Sequence, residues 1–172
     1  RSAAGVGRTA GPDDPADGGT EGGLAGTDVL LWWGHIAHDR VADGVVERVH
    51  RHVLGGMGLL VLHSGHFSKI FIRLMGTTCS LKWRNDAERE LVWAVKPGHA
   101  IAEGLPSPLI VDAQAMYGAL FDIPPPDEPG FLSASPGWAV FRPACVFHPG
   151  RGRVSTFRPR RLDRPLHPTP PT

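Results

Sequence analysis

The chain has 172 residues, with 18 basic and 17 acidic side chains, 41% apolar content and nine histidines. That length suits one domain with a real core, and the near-neutral charge balance gives no global attraction to nucleic acid or to an anionic membrane. Cys79 and Cys145 stand far apart and form no Cys-x-x-Cys pair, which excludes a disulfide framework and predicts reduced thiols in a cytoplasm. No apolar run reaches membrane-spanning length, and no charged start leads into an apolar segment as in a secretion signal. Because it begins at Arg1 rather than methionine, the chain reads as processed or as a fragment.

Residues 1–26 are rich in Gly, Ala and Asp, with only Val6 and Leu24 as larger aliphatics. Such a segment buries too little apolar surface to offset the entropy of ordering, so it is expected to be disordered or irregular. The stretch Thr27 to Asp39 then runs from apolar residues into a glycine turn carrying His35 and His38. Val41 to Gly56 follows, with Val41, Val45, Val49 and Val53 spaced by four and Glu47, Arg48 and Arg51 between them, the pattern of an amphipathic helix. Gly58 to Leu62 is apolar throughout and reads as a buried parallel strand, ending in His63-Ser64-Gly65-His66-Phe67-Ser68-Lys69.

Strand, helix and strand make a βαβ unit, whose crossover leaves its strands parallel. Both His-x-x-His turns then emerge at the same carboxyl edge of a sheet, where ligands of open α/β sheets bind. Ser68 to Met75 is expected to form a short helix stopped by Gly76.

Beyond Thr77 the pattern favours strands. Ser80–Arg84 alternates, and Glu90–Val95 follows a polar turn at Asn85-Asp86. Leu109–Val111, Phe131–Ser133, Trp138–Arg142, Cys145–Phe147 and Arg153–Phe157 read as further short strands, broken by Pro and Gly. Residues 160–172 form an Arg- and Pro-rich tail, and the late arginines, Arg158 among them, are read as solvated. The expected architecture is a parallel α/β half with a smaller β-rich part covering it.

The segments DVLLWWGHIAHD, VVERVH, GMGLLVLHSGHFSKIF, LMGTTCSLKWR, PGHAIAEGL, FDIP, VFRPAC and GRGRVSTFRP together resemble the ThuA-like (trehalose utilisation) family over residues 27–159. The resemblance implies a flavodoxin-like parallel sheet, flanked by helices and related to class I glutamine amidotransferase-like folds. It also implies a cytoplasmic role in the catabolism of trehalose and related disaccharides, beside a nicotinamide-dependent sugar dehydrogenase that makes a keto-sugar. Family members normally begin with a further strand and helix, which residues 1–26 do not supply. Near Tyr117, Ala113, Gln114, Ala115 and Ala119 replace acidic residues and a histidine, and Arg160, Arg161 and Leu162 replace the usual continuation.

His35, His63 and His66 are the candidate catalytic residues, and the same three are candidate ligands for a divalent metal, zinc or manganese. Without a metal, histidines at two strand ends can do acid–base work, because imidazole titrates near neutrality. Lys69 is placed as the charge that neutralises a developing oxyanion; its bland alternative is a solvated surface charge. Trp33, His38, Asp39 and Tyr117 are the candidate substrate contacts, although Asp39 also suits a helix N-cap. Ser64 lacks the first glycine of a nucleophile elbow. Two functions therefore stand side by side: metal- or histidine-assisted hydrolysis or isomerisation of a keto-sugar, and a non-catalytic remnant of the family. A homo-oligomer is also expected, since a missing first strand leaves an open sheet edge.

Overall fold

The computed structural model describes residues 19–34, 37–117, 120–136 and 140–158, with backbone alone for 85–87 and 113–116. Its first element falls inside the segment expected to be irregular. Glu21–Ala25 form helix α1, because Thr20 Oγ1 accepts the Gly23 amide at 3.2 Å and Leu24 finds a buried site. Arg48 of the next helix, α2 (Asp43–Gly55), donates to the Gly19 carbonyl at 2.9 Å, and Arg51 and His52 both reach Glu21. These ties, which composition does not reveal, order a glycine-rich stretch.

Strands β1 (Val29–Trp32) and β2 (Gly58–Leu62) flank α2 and pair in parallel, with Val29 opposite Gly58 and Trp32 opposite Val61. The βαβ expectation holds. Val45, Val46, Val49 and Val53 of α2 are buried, and Val41 packs against the core just ahead of the helix. After β2 a 3-10 turn, His63–Phe67, leads into α3 (Lys69–Met75). Ser68 Oγ caps α3 by accepting the Phe71 amide at 3.3 Å, and Gly76 ends it at φ 69°, a left-handed position that suits glycine.

The remaining strands are β3 (Trp83–Ala94), β4 (Leu109–Tyr117), β5 (Glu128–Ala134), β6 (Phe141–Phe147) and β7 (Arg153–Phe157). All seven lie in one sheet of order β1-β2-β7-β6-β5-β3-β4. Only β1, β2 and β7 are mutually parallel; the other pairings are antiparallel. The expected α/β class stands, but among the described residues the parallel flavodoxin-like portion is confined to three strands. The β-rich part does not cover the parallel half either. Strand β7 returns beside β2 and offers β6 its other edge, so successive antiparallel strands prolong the same sheet.

Two apparent breaks prove to be continuous strands. Asn85-Asp86 is no turn, because β3 runs through it with register shifts between Arg84 and Glu88 and between Glu88 and Glu90. Strand β6 likewise runs through Pro143, with a register shift in its pairing with β5. The expected strand start at Trp138 lies outside the described residues.

The main core lies between the helices and one sheet face, with Leu59, Val61 and Val154 meeting Val49, Val53, Ile70 and Phe71. Neighbouring positions point the other way. On that second face Val29 and Leu31 of the edge strand β1 are exposed.

Candidate active site

The carboxyl ends of β2 and β7 bring together His63 and Arg158, 95 positions apart in sequence. His63 adopts φ 43°, an uncommon left-handed value for a histidine, which turns the chain sharply as it leaves β2. Arg158 follows from the alternation of β7: Val154, Thr156 and Arg158 point to the helix side, and all three are buried. The Arg158 amide donates to the Pro143 carbonyl at 3.0 Å, which prolongs the β6–β7 pairing by one step.

Arg158 is only 2% exposed. Its Nη1 donates to the His63 carbonyl at 3.1 Å, and its guanidinium carbon stands 4.1 Å from the Phe121 ring centre and 5.8 Å from that of Tyr117. Burial pulls its pKa down to about 9, so the group is charged at neutral pH. Sequence reading placed it in a solvated tail and missed it. The signal that finds it is the period-two run Val154, Thr156, Arg158.

His63 Nδ1 lies 3.3 Å from the Arg158 carbonyl. A carbonyl can only accept, so Nδ1 carries the hydrogen there and Nε2 the lone pair. The Tyr117 hydroxyl sits 2.9 Å from Nδ1 and 3.0 Å from Nε2, with the two rings edge to face. Tyr117 arrives as the last residue of β4 and stacks on Phe141. The expected site role of Tyr117 thus acquires a partner, and that partner is His63.

His66 is also 2% exposed, set among Phe67, Tyr117 and Phe121. Its Nδ1 donates to the His63 carbonyl at 3.2 Å. Desolvation first, then the Arg158 charge, lowers its pKa to about 3, with His38 and His63 adding to the effect. His66 is therefore neutral at physiological pH. Its Nε2, like Arg158 Nη2, is buried with no hydrogen-bond partner among the described residues.

The other sequence candidates fall as follows. His38 lies over Gly34, where an added methyl would come within 3.3 Å of its Cε1. Asp39 is exposed in the 3-10 turn His38–Arg40, and Trp33 is half exposed at the end of β1. His35 lies outside the described residues. Lys69 donates to the Val41 carbonyl at 2.9 Å and to Asp43 Oδ1 at 2.8 Å, tying α3 to the start of α2. Arg158 is a cation that the structure sets beside His63 and His66. Ser64 donates to the Gly34 carbonyl at 2.6 Å and so links the two turns. Among the described residues no three His, Cys, Asp or Glu side chains form a metal-binding group.

A separate cavity of about 260 Å³ opens on the other sheet face, lined by Leu60, Leu62, Phe131, Val146 and Phe157, with Lys96, His99 and Glu128. Its carboxylate is already engaged: Glu128 meets His148 Nε2 at 3.0 Å, Lys96 at 3.3 Å and Arg153 at 3.4 Å. Two buried polar atoms without a partner among the described residues, His66 Nε2 and Arg158 Nη2, lie at the histidine cluster instead.

A family model described as trehalose utilisation, ThuA, matches residues 10–159. The chain belongs to the ThuA family. The match begins earlier than residue 27, where the sequence resemblance starts, and takes in α1. No curated protein sequence matches the chain. Among solved structures, a ThuA-like protein from Bacteroides uniformis superposes with a TM-score of 0.64 at 11% identity, covering 86% of this chain and 65% of its own. A cytoplasmic protein from Salmonella typhimurium gives 0.58 at 12% identity, covering 80% and 62%. A ThuA-like protein from Parabacteroides merdae gives 0.57 at 11%, covering 78% and 60%. At such identities the likeness concerns the ThuA fold, and the chain spans somewhat under two thirds of these relatives' length. Among the described residues no helix is long and apolar enough to cross a membrane.

Proposed function

We propose that this ThuA-family chain acts in the cytoplasm on a keto-sugar derived from trehalose or a related disaccharide, moving a proton beside the sugar carbonyl. The observation that carries the reading is the Tyr117 hydroxyl resting on the His63 imidazole. Tyr117 donates its hydrogen bond to the incoming carbonyl oxygen, which frees the His63 Nε2 lone pair. Nε2 then takes the proton from the neighbouring carbon, and its return to a different atom gives isomerisation or opens the way to loss of the glycosidic group. Trp33, half exposed, offers a face for the sugar ring, with His38 and Asp39 beside it on the adjoining turn.

The reading uses protons only. A divalent zinc or manganese ion needs ligands beyond the described residues, His35 among them, and the Arg158 charge opposes a second cation next to His66. A nicotinamide-dependent dehydrogenase is the natural supplier of the keto-sugar, and the exposed Val29 and Leu31 side chains of β1 support self-association.

The test is deuterium exchange from D2O into a keto-trehalose, followed by NMR. Tyr117→Phe is expected to lower the exchange rate at least about 100-fold. His63→Asn, chosen because asparagine tolerates the left-handed backbone, is expected to abolish it. Full exchange in His63→Asn sinks the mechanism; saturable sugar binding by the wild type without exchange favours a non-catalytic member of the family.

A further inference from the structure

A buried guanidinium ordinarily meets a carboxylate. Arg158 does not. The groups that bear on its charge are Tyr117, Cys79 and Cys145, and no Asp or Glu is among them. Burial raises the pKa of both thiols, so they stay neutral, and His66 is neutral as well. Of the guanidinium's five donors, Nη1 serves the His63 carbonyl, while Nη2 is buried without a partner. The Phe121 and Tyr117 rings ease the cost through their π faces but do not cancel the charge.

The second orphan complements the first. His66 donates from Nδ1, so its Nε2 is an acceptor waiting for a donor. A positive donor and a neutral acceptor, both dry and both next to the Tyr117–His63 pair, ask for an anionic group and a hydroxyl on one ligand. A neutral keto-sugar develops negative charge only in passing and leaves Arg158 unpaired in the bound state. A sugar with a permanent charge pairs it throughout.

Resting on the acid–base reading of this site, we infer that the sugar taken here is an acid, bearing a carboxylate or phosphate group held by Arg158 with a neighbouring hydroxyl held by His66. Both protein atoms are shielded from solvent, so the anion reaches them by displacing a covering side chain. Tyr117 is the single tyrosine of the chain, and its ring resonances report that displacement without ambiguity.

The experiment is titration of the full chain with D-gluconate, D-glucose 6-phosphate and D-glucose, read by calorimetry and by the Tyr117 resonances. At least one acid is expected to bind about tenfold or more tighter than glucose, about 1.4 kcal/mol or more, and which acid wins identifies the anionic group. Arg158→Met is expected to erase that preference; should it fail to fold, Arg158→Lys, which keeps the charge without the fork, is expected to reduce it. Equal binding of all three, binding of none, or a preference that survives the substitution overturns the inference. Turnover is not read. A chain that prefers the acid yet exchanges no deuterium into a keto-sugar that carries the same acidic group refutes the acid–base reading alone, whereas one that exchanges deuterium into keto-trehalose and treats gluconate and glucose 6-phosphate like glucose refutes the acid alone.

Discussion

His63 and Arg158 hold each other by side chain to main chain in both directions: Arg158 Nη1 donates to the His63 carbonyl at 3.1 Å, and His63 Nδ1 meets the Arg158 carbonyl at 3.3 Å. The clasp joins the ends of two parallel strands and fixes the imidazole that faces Tyr117. Its energetics are unusual, because it keeps a charge in a dry place with no acid to match among the described residues. Replacing a buried ion with an apolar side chain of similar volume is often neutral or stabilising, and the His63 carbonyl would still receive His66 Nδ1.

Arg158→Met is accordingly expected to unfold no earlier than the wild type while losing anion binding. Thermal unfolding followed by circular dichroism checks it. A fall in Tm of more than about 8 °C, corresponding to over 2 kcal/mol at this chain length, would mean that the clasp serves the fold first.

His66 links stability to pH. Its pKa falls from 6.5 to about 3 on folding, so between those values the unfolded chain binds the extra proton and the folded chain does not. The contribution is fully present above pH 6.5 and is lost as the pH drops toward 3, with a slope approaching about 1.4 kcal/mol per unit. Denaturant midpoints measured from pH 7 to pH 4 are expected to fall less steeply in His66→Gln. Parallel curves for the two proteins would show that His66 is protonated in the native state.

Periodicity made part of this molecule legible. The valines of α2, the paired β1 and β2, and the Ser68 and Gly76 ends of α3 depend on local chemistry, and local chemistry is visible in sequence. Strand direction set the turns after β1 and β2 at one sheet edge, where Ser64 reaches the Gly34 carbonyl, but it did not bring Tyr117 of β4 to His63. Arg158 was not legible, because an arginine among arginines reads as solvated unless β7 is carried one step past Phe157. Helix α1 depends on Glu21 meeting Arg51 and His52 some 30 residues later, and no window of sequence contains that. The single mixed sheet depends on β7 pairing with β2 and β6 at once, a tertiary choice that short strands do not declare.

Glu90 offers a gain. This β3 carboxyl is buried, and desolvation raises its pKa, only partly offset by a hydrogen bond from Ser133. A carboxyl whose folded pKa is raised contributes stability that is complete below its unfolded value of 4.5 and is lost as pH rises through the folded value. Glu90→Gln removes the charge and keeps an oxygen for Ser133. It is expected to raise the denaturant midpoint at pH 7 and leave it nearly unchanged at pH 4; a lower midpoint at pH 7 would mean that Glu90 has an ionic partner in solution.

The turn ahead of β7 decides where Arg158 ends up, and it is closed tightly against α2. Arg151 donates its amide to the Leu54 carbonyl at 3.0 Å, satisfying the carboxyl end of α2, and Gly152 lies against the same turn of helix. A methyl on Gly152 would stand 2.0 Å from the Val53 carbonyl oxygen and 3.1 Å from that of Met57, so backbone must move to admit it. Overpacking of this kind costs about 3 kcal/mol or more when the neighbour is main chain. Gly152→Ala is therefore expected to lose most of the cooperative unfolding transition. Gly22→Ala in α1, where nothing lies within 4 Å of the added methyl, is expected to be neutral or to gain up to about 1 kcal/mol. Chemical denaturation of the two variants side by side checks the pair. If Gly152→Ala keeps its midpoint, the β7 turn sits farther from the Val53 carbonyl than the 2.0 Å contact requires, and the positions of Arg158 and of the clasp it makes with His63 move with it.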